Sequence, residues 1–337
     1  MDDLSYWLPL IWVGLLAVAV ILYVILDGFD LGIGILFPFY KHEDDRDIMM
    51  NSVAPFWDGN ETWLILGGGG LFVAFPTAYG VIMSGFYLPI LIMLLALVLR
   101  GVAFEFRWVA KPKHKIWDIS FAGGSITAAF MQGVILGGLL HGLPVENGMF
   151  SGHVLGWMNL FPFFVGLATV CGYALLGATW LIMRTEGEVA DDAREQAKFL
   201  LIMVGISLCV ISIWTPFAEP RIWERWFSIP NFFFLSPVPI LTALTVFLTW
   251  RGLIGKHENV PFVGTIFLFL LGFIGLAVST LPYLVPPSLT IWEAAAHPSS
   301  QLFMLVGTSV LLPIILAYTA FVYWTFRGKV RSGEGYH

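Results

Sequence analysis

The chain has 337 residues, of which 58% are hydrophobic and 12% charged, with a formal net charge of −6 and a mean hydropathy of +0.82. This composition excludes a soluble globular domain, and the short basic loops give no nucleic-acid footprint. It requires a polytopic membrane protein in contact with a lipid bilayer.

A span needs roughly 20 apolar residues, and nine such runs follow in chain order, near 8–30, 56–76, 80–104, 118–140, 157–183, 198–217, 236–254, 260–282 and 302–326. All read as transmembrane helices of an all-α protein, and a single transmembrane domain, 1–337, accounts for the whole chain. The first run follows an acidic start, Asp2 and Asp3, with no basic region before it and no small-residue cleavage site after it. It is expected to stay as a span. Spans two and three are joined at Phe75 to Gly80, which reads as the tight turn of a closely packed antiparallel hairpin. Gly67 to Gly70 in span two would admit a neighbouring helix, a lipid tail or an isoprenoid chain to the backbone, helix packing being the plainer reading. Cys171 and Cys209 fall in separate spans without a CxxC pattern and read as core residues, as do Met93, Met131 and Met158. Glu219 to Phe227 mixes charges with tryptophans, which suits an interfacial helix.

All but Arg100, Arg221 and Arg225 of the 17 Lys and Arg residues lie in the first, third, fifth and seventh loops and the C-terminal tail. The positive-inside rule then puts the C-terminus in the cytoplasm and the N-terminus outside, which an odd number of spans permits. Asp27, Asp30, Asp58, Glu61 and Arg100 all fall near the cytoplasmic half of the membrane on this reading.

An ionisable group at membrane depth is a functional-site candidate. Asp27 and Asp30 are three residues apart, as are Asp58 and Glu61, so on helices each pair shares a face. Two acids in a low dielectric can hold one proton between them, which suits a proton relay. The competing reading is that they cap helix ends, Asp58 being placed near the start of span two. Arg100 is the charge partner, as an ion pair or as the element that tunes the relay. Glu105 and Arg107 lie nearer the loop and are expected to be solvated. Fourteen tryptophans fit interfacial belts, although Trp57 and Trp63, flanking the acids, also suit a pocket for a planar ring or a gas path. The seven histidines fall in loops, tails or span ends, so no pair is set to hold a haem inside the membrane. His141 and His153 would have to meet on the outer face to bind a metal, and unliganded loop histidines are the better reading. No metal ligand or catalytic residue is assigned to this chain.

The stretches Asp27 to Gly34, Asn51 to Leu64, Ser84 to Tyr87 and Arg100 to Arg107 resemble subunit II of the cytochrome bd-type quinol oxidases, and the Phe-rich segment Arg100 to Trp108 leans toward the cyanide-insensitive branch. The resemblance implies two four-helix bundles plus one peripheral helix, paired with a haem-bearing subunit I that holds haems b and d, so that this chain ligates no cofactor. It implies a bacterial inner-membrane complex that oxidises quinol and reduces oxygen to water with cytoplasmic protons, without pumping, and a small single-span accessory subunit as a further partner. By the motif, Asp58 is the expected proton-path residue, with Asp27 and Asp30 near its entry and Glu61 beside them. Trp63 resembles a residue at the mouth of an oxygen path, and a structural quinone is held in this subunit in some members. The rivals from other classes are a proton-coupled secondary transporter, against which no inverted repeat is found, and a purely structural scaffold.

Overall fold

The computed structural model describes residues 3–110 and 114–331. Asp2, Lys111, Lys113 and His337, used above for charge and histidine placement, lie outside the described residues.

The first helix, α1 (Asp3–Leu36), runs past the expected end of its span and leads into a 3-10 turn at Phe37–Phe39. Asp27 and Asp30 are therefore inside a helix rather than at its end. The continuation follows from Leu31, Ile33, Ile35 and Leu36, all buried, while Pro38 ends the run. A short helix, α2 (Glu43–Asn51), crosses this end and carries three acids in its first turn, where they face the positive end of its dipole.

Next come α3 (Trp57–Ala74), α4 (Pro76–Gly85) and α5 (Tyr87–Val109). The expected tight turn at 75–80 is instead the start of α4, because Pro76 is pre-set for a first helical turn. The expected close hairpin does not form: α3 packs along α1, and α5 along α6 (Lys115–His141). Only at one end do α3 and α5 meet, where Trp57 stacks on Phe104 at 4.9 Å. Gly70 lies against Leu16 of α1, whereas Gly68 and Gly69 face open space, so helix packing explains part of the glycine run.

The chain continues through β1 (Val145–Glu146) and β2 (Met149–Phe150), α7 (Leu160–Arg184), α8 (Glu188–Ala218), α9 (Pro220–Phe227), α10 (Asn231–Leu235), α11 (Pro237–Ile254) and α12 (Val260–Thr280). It closes with β3 (Tyr283–Val285), β4 (Leu289–Thr290), α13 (Ile291–Ala294) and α14 (Pro298–Thr325). The two strand pairs are short antiparallel hairpins, both packed with α4 at the end where α1 begins.

Eight helices among the described residues are long and apolar enough to cross a membrane, which makes this a mostly helical polytopic membrane protein. The ninth expected span, α3, is long enough but opens on Asp58, Asn60 and Glu61, which lower its hydropathy. The main core joins the second half of α1 to α5, α6, α7 and α8. A second cluster joins the first half of α1 to α4 and the hairpins.

Glycines bring the helices together. A side chain at Gly32 or Gly177 would collide with the backbone of the other helix, so α1 and α7 touch main chain to main chain. At Gly124 a Cβ would stand 2.6 Å from the Ala96 carbonyl and 3.0 Å from the Arg100 nitrogen, so α6 lies close against α5 where Arg100 turns inward. The helix α14 is the least embedded. It is tied near its start by Gln301, whose side chain donates to the Ala74 carbonyl at 2.9 Å, and near its end by Tyr323.

Candidate functional site

Asp27, Asp30 and Arg100 are each fully buried. Spacing of three on α1 sets both acids on one face, and the close α5–α6 packing aims Arg100 at them. Arg100 Nη1 stands 2.7 Å from Asp27 Oδ1, and Nη2 stands 3.7 Å from Glu61 Oε2. Asp27 is thus the near partner of the guanidinium and Glu61 the far one.

Two polar branches leave this pair. In one, Asn60 Nδ2 donates to Asp30 Oδ2 at 2.7 Å and to the Leu26 carbonyl at 3.3 Å, while the Tyr323 hydroxyl donates to Asn60 Oδ1 at 2.8 Å. In the other, Tyr23 beside Asp27 accepts from Gln132 Nε2 at 2.7 Å, and Tyr173 donates to Gln132 Oε1 at 2.7 Å. Asp27 and Glu61 share the Arg100 guanidinium, with Asp30 one turn along α1, so the cluster holds more carboxyls than cations.

Phe29 stacks on Trp180 at 4.0 Å and Phe56 on Tyr323 at 4.4 Å. The Glu61 side chain keeps 26% of its surface exposed, and Asp58, one turn earlier, is exposed. The cap of α3 is Phe56, with no side-chain hydrogen bond, so Asp58 does not act as the helix cap. Asp58 is exposed in this chain, whereas Asp27 and Asp30 are fully buried.

Trp57 and Trp63 pack in different hydrophobic clusters. Trp57 lies half-buried on Phe104 and over Gly101. Trp63 is buried against Ala19 and Tyr23, and its indole N–H has no acceptor.

Arg107, expected to be solvated, is fully buried. It donates to Asp118 Oδ1 at 2.7 Å and to Asp47 Oδ1 at 2.5 Å, while Arg46 reaches Asp118 Oδ2 at 3.0 Å. The helix α2 folds over this end of α5 and supplies the acid. Glu105 is exposed as expected. Of the residues read as core, Cys171 is half-buried and Cys209 exposed, because the outer faces of spans meet lipid rather than protein, and Met158 is exposed because it lies in the loop before α7.

The residues present do not fit a haem. The described histidines sit at helix ends and in loops, with His141 3.6 Å from Glu219 and His153 accepting from the Leu155 N–H at 3.1 Å. No group of three or more metal-binding side chains occurs among the described residues.

Fold and site together define a multi-span membrane protein organised around a buried acid–arginine network. A family model described as cytochrome bd terminal oxidase subunit II matches residues 8–326, and the chain belongs to that family. It is 30% identical to the cytochrome bd-I ubiquinol oxidase subunit 2 of Escherichia coli (strain K12), covering 97% of this chain and 96% of that one. It is 29% identical to the cytochrome bd ubiquinol oxidase subunit 2 of Bacillus subtilis (strain 168), covering 96% and 97%. The structure of bd oxidase from Geobacillus thermodenitrificans superposes with a TM-score of 0.76 at 17% identity, over 96% of this chain and 99% of that one, a likeness of fold.

Proposed function

We propose that this chain is the haem-free subunit II of a cytochrome bd-type ubiquinol oxidase of the bacterial inner membrane, partnered with a subunit I that carries haems b and d and with a small single-span accessory subunit. The complex oxidises two quinols and reduces one oxygen to two waters, with four protons taken from the cytoplasm and none pumped. The observation that carries this reading is the family match along residues 8–326.

Within that complex the chain supports haem assembly and contributes to proton uptake. Asp58 and Glu61 stand at the surface of the network and would receive protons, while Asp27, paired with Arg100, and Asp30, bonded to Asn60, form the buried store behind them. The N-terminus is assigned to the periplasm and the C-terminus to the cytoplasm, supported by the basic loops that gather at the second end of α1, where Lys329 pairs with Glu258 and Arg194 with the His257 carbonyl. Nine spans follow if α3 crosses too: α1, α3, α5 and α6 as one bundle of four, α7, α8, α11 and α12 as another, and α14 at the periphery. Trp63 and Trp57 are assigned to the wall of an oxygen path or of a structural-quinone pocket.

The test is turnover of the assembled complex with Asp58→Asn and Glu61→Gln. Loss of quinol oxidation with an unchanged haem spectrum is the expected result. Full turnover in both variants would reduce the chain to a scaffold.

A further inference from the structure

Asn60 is 1% exposed and makes three contacts through one amide. Its nitrogen donates to Asp30 and to the Leu26 carbonyl, and its oxygen accepts from Tyr323. Turned over, the amide would set its oxygen against a carboxylate and a carbonyl, both acceptors, and would lose the two bonds its nitrogen makes, keeping only the one to Tyr323, whose hydroxyl can also accept. The two acceptors fix the orientation, and the Tyr323 hydroxyl, donating to the amide oxygen, anchors the amide from its other side. Its ring is itself held, stacked on Phe56 with planes 18° apart and edge-on to Trp180. The bond spans 263 positions of sequence, and Tyr323 comes from α14, where Tyr318, Phe321 and Trp324 are exposed. Through one hydroxyl, the least embedded helix reaches a fully buried carboxyl.

We propose that Asn60 and Tyr323 are positioning residues for Asp30: Tyr323 locks the Asn60 amide, and the amide fixes Oδ2 of the Asp30 carboxyl so that Oδ1 is left to exchange a proton. Oδ1 has no hydrogen-bond partner in this chain. The inference rests on the reading of Asp30 as part of the proton path. Without the hydroxyl the amide is anchored from one side only, the carboxyl it holds samples a wider range of positions, and each exchange waits for the productive one.

The experiment is turnover of the complete complex in nanodiscs, in H2O and D2O, for Tyr323→Phe, Asp30→Asn and the double variant, with Tyr318→Phe, on an exposed face of the same helix, as control. Phenylalanine keeps the stack and removes only the hydroxyl. Turnover of Tyr323→Phe is expected to fall about fivefold, the worth of one neutral hydrogen bond, with a larger solvent isotope effect, unchanged quinol KM and an unchanged haem spectrum. In the Asp30→Asn background the same change is expected to cost nothing more. Full turnover in Tyr323→Phe, an equal loss in both backgrounds, or loss of the haem spectrum each overturns the inference. Wild-type turnover in Asp30→Asn, Asp58→Asn and Glu61→Gln alike would sink the proton-path reading and this inference together, whereas a slow Asp30→Asn beside a normal Tyr323→Phe sinks this inference alone.

Discussion

Arg100 decides whether the buried network is tolerable. It is enclosed with Asp27 at 2.7 Å, and removing one partner of such a pair leaves an uncompensated charge that costs about 3–5 kcal/mol. Arg100→Leu should therefore abolish the folded chain, read as loss of detergent-stable protein, while Asp27→Asn combined with Arg100→Gln should recover most of it. An Arg100→Leu chain as heat-stable as wild type would show that Asp27 is neutral and unpaired in the native state. At the opposite end the exposed Glu293 carboxyl accepts from the Thr290 N–H at 2.9 Å and from its hydroxyl at 2.7 Å. These bonds, the backbone one first, hold its pKa below the ordinary carboxylate range. A depressed carboxyl pKa gives stability that is present above the unfolded value, about 4.3, and is lost as pH falls through the folded value. Exchange-corrected deuterium uptake in 283–297 should therefore rise as pH falls below about 4.3, and Thr290→Val, which removes the hydroxyl bond and keeps the larger backbone one, should move the midpoint up toward that value. A midpoint at or above 4.3 would contradict the capping geometry.

At the scale of elements, contacts between α1 and α7 depend on glycine. Gly177→Leu should separate the two helices and with them Tyr173 from the Tyr23 side of the network, giving chain that inserts but does not form a protease-resistant core. A resistant core in that variant would show that the helices can pack farther apart. The short helix α9 works as a clamp. Arg221 donates to the Leu140 and Ser279 carbonyls at 3.2 and 3.3 Å, and Arg225 to the Val278 carbonyl at 3.0 Å, so both cations serve carbonyls at the C-terminal ends of α6 and α12. Replacing either by Ala should cost about 1 kcal/mol, measured as a lowered midpoint of thermal unfolding. The apolar runs made most of these helices legible in the sequence. The misread elements have physical reasons: Pro76 reads as a turn signal but starts α4, and the acids at 27 and 30 look like a span end although buried Leu31 to Leu36 carry the helix on. Arg107 was expected in solvent because only the fold brings Asp47 of α2 over it.

Across the molecule, charge stood out and neutral polarity did not. Asp27, Asp30, Glu61 and Arg100 were visible because ionised side chains in apolar runs are anomalies, and the structure brings these four together. Asn60, Tyr23, Gln132, Tyr173 and Tyr323 were missed, since neutral polar residues are unremarkable within spans and their partners lie on other helices; the faint signal was Asn60 inside the acidic motif. Trp57 and Trp63 looked like neighbours in sequence, yet helical geometry turns them to different clusters. The network belongs to one subunit, and on this account its protons serve chemistry carried out in another. That division is the central claim, and the most direct test is a reduced-minus-oxidised visible spectrum of the tagged chain, purified gently from its native membrane and again after expression alone. The account predicts haem bands and a larger co-purifying membrane subunit in the native sample only. Haem bands from the chain expressed alone, or neither haem nor partner from the native membrane, would contradict it.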